Sequence, residues 1–280
     1  MLRCYHILLI FLPLTLLCPR PIFSLPDLFT GRRIDSMAAS IQSDVVIREA
    51  VKDVWTFSCP FDLKGVPIGA RSTAIKLTDG SLWVLASTPL TQDTKSKLAE
   101  LGDVRYIVSP ARYHHFYLKE FKDEYPNAKL IGVKDLNDVK RLEGWQLDEV
   151  FDGSNPDEQY GFESEIGHCY FSGSKMHDVA FYHKASKTVF GGDLLFNLPC
   201  NEQYLKSDIS PHIPIITSML QPETLFCRLF IWLTEGDYRA MARDARRVAD
   251  WDFDRFIPCH GDVIESGAKQ LWKSTYRRYF

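Results

Sequence analysis

A predicted β-hairpin in the second half of the chain places the strongest constraint on the fold. Two apolar segments, Val179 to His183 and Thr188 to Gly192, are typical of strands, and the polar turn Lys184 to Lys187 joins them. In such an antiparallel hairpin, residues whose numbers sum to about 370 lie opposite each other. His177 and Asp193 meet this condition at the open end of the hairpin. An imidazole and a carboxylate held together there could form half of a metal site.

Each of these two residues also has a simpler structural explanation. Asp193 could cap the turn that follows its strand, since short carboxylates accept hydrogen bonds from nearby backbone N–H groups. His177 could be a surface histidine with no partner. The hairpin alone does not decide between these explanations, so the surrounding segments carry the argument.

The order of the other elements predicts a mixed α/β domain. Strand-like segments between Val45 and Ala86 predict an antiparallel sheet, and helices are predicted at Thr91–Leu101 and His114–Tyr125, alternating with strands. A strand over Arg255–Cys259 and a final amphipathic helix end the chain. Two packed mixed sheets with helices on their outer faces fit this order. A doubly wound sheet fits less well, because the chain has no Gly-x-Gly-x-x-Gly loop.

The first 36 residues differ from the rest of the chain. Arg3 precedes an apolar run from Cys4 to Cys18, as in a secretory signal peptide, but Pro13 interrupts that run. The run is also shorter than the roughly 20 residues of a spanning helix, so no stable membrane span is expected. Alternatively, translation starts at Met37. On either interpretation, residues 1–36 form a leader and residues 45–280 form the folded domain.

The cysteine pattern and the net charge limit which cellular location and which partners are expected for the protein. Two of the seven cysteines lie in the leader, and the remaining five are scattered, with no Cys-x-x-Cys pair and no disulfide framework. The chain also lacks an Asn-x-Ser/Thr sequon, so a cytoplasmic location is expected, with secretion through an N-terminal signal peptide as the alternative. A net charge of −3 provides no field that would attract nucleic acid, which is therefore not an expected partner.

Histidines and an aspartate recur at the ends of predicted strands. His114 and His115 follow the strand Val104–Val108, and His260 follows Arg255–Cys259. With the two hairpin residues, the candidate metal ligands are His114, His115, His177, Asp193 and His260. Loops at strand ends can converge on one point, and imidazoles with a carboxylate suit zinc or non-haem iron.

These motifs, in this order, resemble the metallo-β-lactamase-like hydrolase superfamily from roughly Val45 to Phe280. The resemblance rests on Gly173-Ser-Lys-Met-His177, Phe-Gly-Gly-Asp193 and Pro-Cys-His260-Gly261. The segments beginning at Gly69 and Leu82 are similar to an uncharacterised branch of that superfamily. The resemblance implies a four-layer αβ/βα sandwich with a metal site at one edge of the two sheets.

The first metal motif of the superfamily is incomplete in this chain. Where the family has His-x-His-x-Asp-His, this sequence has Ser109-Pro-Ala-Arg-Tyr-His114-His115. In one register Pro110 and Arg112 replace the two leading histidines, and in the other Ser109 and Ala111 do. Both registers lose two ligands of one metal position, so a single zinc or iron ion is expected rather than two.

Two functions of different classes are consistent with the sequence. The first is a metal-dependent hydrolase of an unidentified small-molecule ester, thioester, amide or phosphoester, with Asp193 as a catalytic residue that orients water. The second is a catalytically inactive protein of the same fold that binds a ligand or partner, which the lost motif histidines favour. Metal content separates the two.

Overall fold

The computed structural model describes residues 45–136, 145–153, 155 and 158–280. The predicted leader, residues 1–36, lies outside the described residues. Within the described ranges, no helix is both long enough and apolar enough to cross a membrane.

The first half of the domain is built around a seven-stranded sheet. Its elements, with a two-stranded ribbon of β3 and β4, are β1 (Val46–Val51), β2 (Val54–Cys59), β3 (Asp62–Leu63), β4 (Val66–Pro67), β5 (Ala70–Lys76), β6 (Leu82–Leu85), α1 (Gln92–Leu101), β7 (Val104–Val108), α2 (Leu118–Glu124), β8 (Lys129–Val133) and β9 (Glu149–Phe151). The spatial order is β1-β2-β5-β6-β7-β8-β9. The pairs from β1 to β6 are antiparallel and those from β6 to β9 are parallel.

The second half supplies a four-stranded sheet and the remaining helices. They are β10 (Ile166–Tyr170), β11 (Val179–His183), β12 (Thr188–Gly191), α3 (Ile216–Met219), α4 (Leu225–Thr234), α5 (Tyr238–Asp250), β13 (Arg255–Pro258) and α6 (Ala268–Thr275), with short 3₁₀ turns at Glu202–Tyr204 and Arg277–Tyr279. The order is β10-β11-β12-β13, and only the β12–β13 pair is parallel. The predicted hairpin is therefore the centre of this sheet.

The two sheets pack face to face through aromatic side chains. Trp83 of β6 contacts Phe181 of β11 edge to face, with ring centroids 5.0 Å apart. Leu98 of α1 and Phe121 of α2 join the core on the side of the first sheet. On the other side, Trp272 of α6 stacks on Phe256 of β13 at 6.2 Å. This arrangement confirms the four-layer αβ/βα sandwich.

Most predicted elements are present, and the differences have local causes. Thr91 caps α1, its hydroxyl accepting a hydrogen bond from the Thr94 N–H at 3.2 Å. The helix predicted at His114–Tyr125 begins only at Leu118, because the Ser109 hydroxyl donates to the His114 carbonyl at 2.7 Å and holds that residue in a turn. Helix α4 was not predicted, since its sequence is apolar on nearly every side and shows no clear amphipathic period.

Candidate metal centre

The candidate centre lies where strands of both sheets end. Strands β6 and β7 run parallel in the first sheet, and β12 and β13 run parallel in the second, so the carboxyl ends of each pair share an edge. His114 follows β7, Asp193 follows β12 and His260 follows β13. These three side chains form the one group of metal-ligating residues found among the described residues, with donor atoms all within 4.8 Å of one another.

The spacing of the three donors suits a metal ion better than direct hydrogen bonds. Nε2 of His114 and Nε2 of His260 each lie 3.5 Å from Oδ1 of Asp193. Good N–H···O hydrogen bonds are shorter, at about 2.7–3.2 Å. Tetrahedral ligands at roughly 2.1 Å from a zinc ion stand about 3.4 Å apart. The donor set therefore fits a single ion with three protein ligands and an open coordination position.

The imidazole of His260 is held in the orientation that a ligand needs. Its Nδ1 donates to the Gly69 carbonyl at 2.6 Å, which leaves the lone pair on Nε2, the atom nearest Asp193. The ring is also stacked on Phe196, with centroids 5.6 Å apart and planes 10° apart. Nδ1 of His114 is bound in a similar way by the Ser87 hydroxyl at 3.1 Å.

A buried arginine and a glutamine hold the backbone that carries His260. Arg71 is fully buried, and its Nη1 donates to the carbonyls of Pro258 and Gly261 at 2.7 and 2.6 Å. Gln203 donates from Nε2 to the Cys259 carbonyl at 2.8 Å and accepts from the Gly261 N–H at 3.0 Å. The loop at His260 is thus fixed on both sides by side chains from distant parts of the chain. Neither residue is among the predicted site residues, and no local pattern in the sequence marks them.

The residue opposite Asp193 in the hairpin is Asp178, not His177. The observed pairs, Phe181 with Phe190 and His183 with Thr188, sum to 371 rather than 370. A shift of one residue exchanges the two faces of a strand. Asp178 is fully buried and accepts from the N–H groups of Gly192 and Asp193 at 3.3 and 2.5 Å, so it positions the turn that carries the candidate ligand.

His177 and His115 lie outside the group of three ligands. His177 has a left-handed backbone, with φ of 51°, and its Nδ1 lies 2.6 Å from the Tyr170 hydroxyl while its Nε2 lies 3.5 Å from Asp135. His115 places Nδ1 2.9 Å from the Arg112 carbonyl, and its ring packs on Phe116. Because Asp178 and not His177 stands opposite Asp193, the group that the structure brings together contains three of the five predicted ligands.

Burial and mutual charge set the protonation of the centre. Burial and the nearby His114 lower the pKa of His260 to about 4, so this ring is neutral at neutral pH. Burial alone would raise the pKa of Asp193, but His114 and His260 outweigh it and hold that pKa below its usual range. Burial also opposes a charge on His114, yet the Cys259 sulfur and Asp193 keep its pKa well above the ordinary value. Metal binding here would therefore release a proton from His114.

The likeness to known proteins lies in the fold. Residues 51–136 match a family model described as a domain of unknown function (DUF4336). No curated protein matches the chain by sequence. The solved structure of the DIM-1 metallo-β-lactamase exposed to ceftazidime is similar over 85% of this chain and 98% of its own, with a TM-score of 0.56 and 14% identity.

Two further structures show the same extent of similarity. The metallo-β-lactamase from Hirschia baltica is 12% identical over 85% of this chain and 98% of its own, with a TM-score of 0.56. The metallo-β-lactamase FIM-1 from Pseudomonas aeruginosa, in its mono-zinc form, is 12% identical over 85% of this chain and 97% of its own, with a TM-score of 0.55. The chain has the metallo-β-lactamase fold, as the sequence resemblance implied. At these identities the likeness defines the fold and not the activity.

Proposed function

We propose that the protein is a mononuclear metal-dependent hydrolase. The observation that carries the proposal is the group of His114, Asp193 and His260, whose donor atoms are spaced as ligands and whose side chains are only 7–9% exposed. Two imidazoles and one carboxylate with an open position are the ligand set of several catalytic zinc sites and of non-haem iron sites. The ion is therefore zinc or iron.

The side chains of the centre have separate roles in this proposal. A bound ion would supply Lewis acidity and lower the pKa of a water molecule to roughly 7. His260, with its tautomer set by the Gly69 carbonyl, and His114, held by Ser87, would hold the ion. Both histidine contacts of Asp193 use Oδ1, which leaves Oδ2 to accept a hydrogen bond from the attacking water and orient it. Asp193 is thus proposed as both ligand and catalytic residue.

A single ion suits this chain better than two. The positions of the two leading motif histidines hold either Pro110 and Arg112 or Ser109 and Ala111, none of which is a common metal ligand. His177, which was also a candidate ligand, lies 2.6 Å from the Tyr170 hydroxyl through its Nδ1. The mono-zinc form of FIM-1, a protein of the same fold, supports a one-ion site in such a framework.

Metal content and one substitution test the proposal. The purified protein is expected to take up about one equivalent of zinc or iron on dialysis, measured by elemental analysis. Asp193→Asn should lower the affinity for zinc and the rate of ester hydrolysis by about 10–100-fold or more, because a ligand is lost. Asp252→Asn is the matched control, since that carboxylate is 79% exposed and pairs with Lys187.

The same measurements distinguish the alternative, a protein that binds a ligand or partner without catalysis. Less than about a tenth of an equivalent of any transition metal, with none taken up on dialysis, would favour that alternative, because no hydrolysis through a metal ion could follow. Full activity of the Asp193→Asn protein would contradict the role given to this carboxylate.

A further inference from the structure

A fully buried serine of β5, Ser72, holds the segment that follows β6. Its Oγ accepts hydrogen bonds from the backbone N–H groups of Ser87 and Thr88 at 2.8 and 2.9 Å, and it lies 2.7 Å from Oγ1 of Thr88. A hydroxyl has two acceptor lone pairs and one proton. Because both lone pairs are occupied by N–H groups, the proton of Ser72 is donated to the Thr88 hydroxyl. The hydroxyl of Ser72 therefore fixes the backbone of both residues.

The side chain of Ser87 lies between the segments that carry the two histidine ligands. Its Oγ is 3.1 Å from Nδ1 of His114, and the thiol of Cys259 donates to the same oxygen at 3.7 Å. Cys259 immediately precedes His260. An imidazole that binds an ion through Nε2 keeps its proton on Nδ1, so His114 donates to Ser87. The two lone pairs of Ser87 are then filled by one N–H and one S–H group.

The first residues of β5 support both imidazoles of the centre. Gly69, directly before this strand, accepts from Nδ1 of His260, and Arg71 donates to carbonyls on either side of that histidine. Ser72 supports the other imidazole through the contacts described above. Successive side chains of a strand point to opposite faces, so Arg71 and Ser72 extend in different directions from one backbone. This strand lies between β2 and β6 in the interior of the seven-stranded sheet.

We propose that Ser72 is a positioning residue of the metal centre, which acts on His114 through the hydroxyl of Ser87. The inference rests on the metal centre of the proposed function. Because the hydroxyl of Ser72 is fully used by the backbone and by Thr88, it does not bind the imidazole directly. Without it, two buried N–H groups lose their acceptor, and the backbone must move to satisfy them. Nε2 of His114 then leaves the position 3.5 Å from Asp193 that suits a shared ion.

Zinc affinities of three variants test the route from Ser72 to His114. Titration of the metal-free, full-length protein against a chromophoric chelator should show a loss of about tenfold in Ser87→Ala, because the group that orients His114 is removed. Ser72→Ala should lose about as much. The double variant should also lose about tenfold, since both changes break one route, whereas two independent effects would multiply to about 100-fold. Either a loss of about 100-fold in the double variant, or an affinity of Ser72→Ala within about twofold of the wild type, would overturn the inference.

Thr91→Ala is the matched control for the loss of a buried hydroxyl. Oγ1 of Thr91 accepts from the Thr94 N–H at 3.2 Å and lies 3.0 Å from the Thr94 hydroxyl, so its hydrogen bonds resemble those of Ser72. Both Thr91→Ala and Ser72→Ala should lower the melting temperature, because buried N–H groups lose their acceptor. Only Ser72→Ala should lower the zinc affinity. Equal losses of zinc affinity would show general destabilisation and contradict a positioning role.

Nuclear magnetic resonance of the metal-free protein supplies a measurement that needs no ion. The Nδ1 proton of His114, assigned by its absence from His114→Gln, should be visible in the wild type because its hydrogen bond to Ser87 slows exchange with solvent. This signal should be lost from Ser87→Ala and from Ser72→Ala, and it should persist in Thr91→Ala. Its absence from the wild type, or its persistence in Ser72→Ala, would overturn the inference.

These measurements separate the inference from the proposed function. A wild-type protein that binds no zinc, but whose Nδ1 signal disappears in both serine variants, would contradict the hydrolase and retain the action of Ser72 on His114. Zinc binding with the expected losses, but without hydrolysis of any p-nitrophenyl ester, would have the same meaning. Zinc binding and ester hydrolysis that Ser72→Ala leaves unchanged would retain the hydrolase and overturn the inference.

Discussion

Replacement of Arg71 by Met should be among the most destabilising substitutions in the domain. The side chain is fully buried, donates to the carbonyls of Pro258 and Gly261, and contacts Glu202 at 3.4 Å. Leaving a buried carbonyl without a donor costs about 1–3 kcal/mol, and removing one partner of a buried ion pair costs about 3–5 kcal/mol. These losses overlap, so we expect a decrease of about 4 kcal/mol in the free energy of unfolding.

Arg48 provides a matched control for this prediction. It donates to the same carboxylate, from Nη2 to Oε2 of Glu202 at 2.8 Å, but its side chain is 35% exposed. Ion pairs of this exposure contribute about 0.2–1 kcal/mol, so Arg48→Met should cost at most about 1 kcal/mol. The difference in the free energy of unfolding between the two variants therefore measures the contribution of the two backbone carbonyls and of burial, which only Arg71 has.

Urea unfolding monitored by circular dichroism measures both variants, and equal m-values would show that the unfolding transition is unchanged. In a domain of this size 1 kcal/mol corresponds to about 2–4 °C, so Arg71→Met should melt roughly 8–16 °C lower. Its zinc affinity should also fall, by about tenfold or more, because the backbone on both sides of His260 loses its anchor. Stabilities of the two variants within about 1 kcal/mol of each other would refute this reasoning.

Three further predictions concern the centre, the pH dependence and the leader. His260→Ala should reduce zinc affinity at least about tenfold, whereas His177→Ala should leave it within about twofold; equal losses in titrations with zinc would contradict the three-residue site. Burial acts to raise the pKa of Glu202, but Arg71, Ser58 and Arg48 outweigh it and lower that pKa below the unfolded value of about 4.3. The ionised Glu202 therefore stabilises the folded state at pH values above the unfolded-state pKa, and this stabilisation is lost as the pH falls through the folded-state pKa. The difference in the free energy of unfolding between the wild type and Glu202→Gln should therefore shrink below about pH 4 in urea titrations. A chain beginning at Met37 should keep the melting temperature of the full chain, and a fall of more than a few degrees would show that residues 1–36 pack against the domain.

Local sequence patterns were sufficient to predict the helices and strands on which the fold depends. The polar turn between two apolar segments predicted the β11–β12 hairpin, and the Thr91 cap predicted the start of α1. Such signals are visible in sequence because they depend on residues that are neighbours along the chain. Helix α4 escaped prediction because its apolar residues surround the helix instead of following one stripe.

The structure brings together three of the five candidate ligands and leaves the other two apart from them. His114, Asp193 and His260 were among the five candidates because each follows a strand, which is a local feature. The place of His177 depended on the pairing of β11 with β12, which differs by one residue from the predicted register, and such a shift changes which residue stands opposite Asp193.

The sequence by itself determined which residue types stand at the strand ends and that the chain forms packed mixed sheets, since both follow from local chemistry and periodicity. Only the tertiary structure decided which of those residues meet. Asp178 replaced His177 opposite Asp193 because of the pairing between two strands. Arg71 reaches the loop of His260 across a separation of nearly 190 positions in the chain. Contacts of that kind arise from the packing of whole sheets and helices, so no short pattern of residues can encode them.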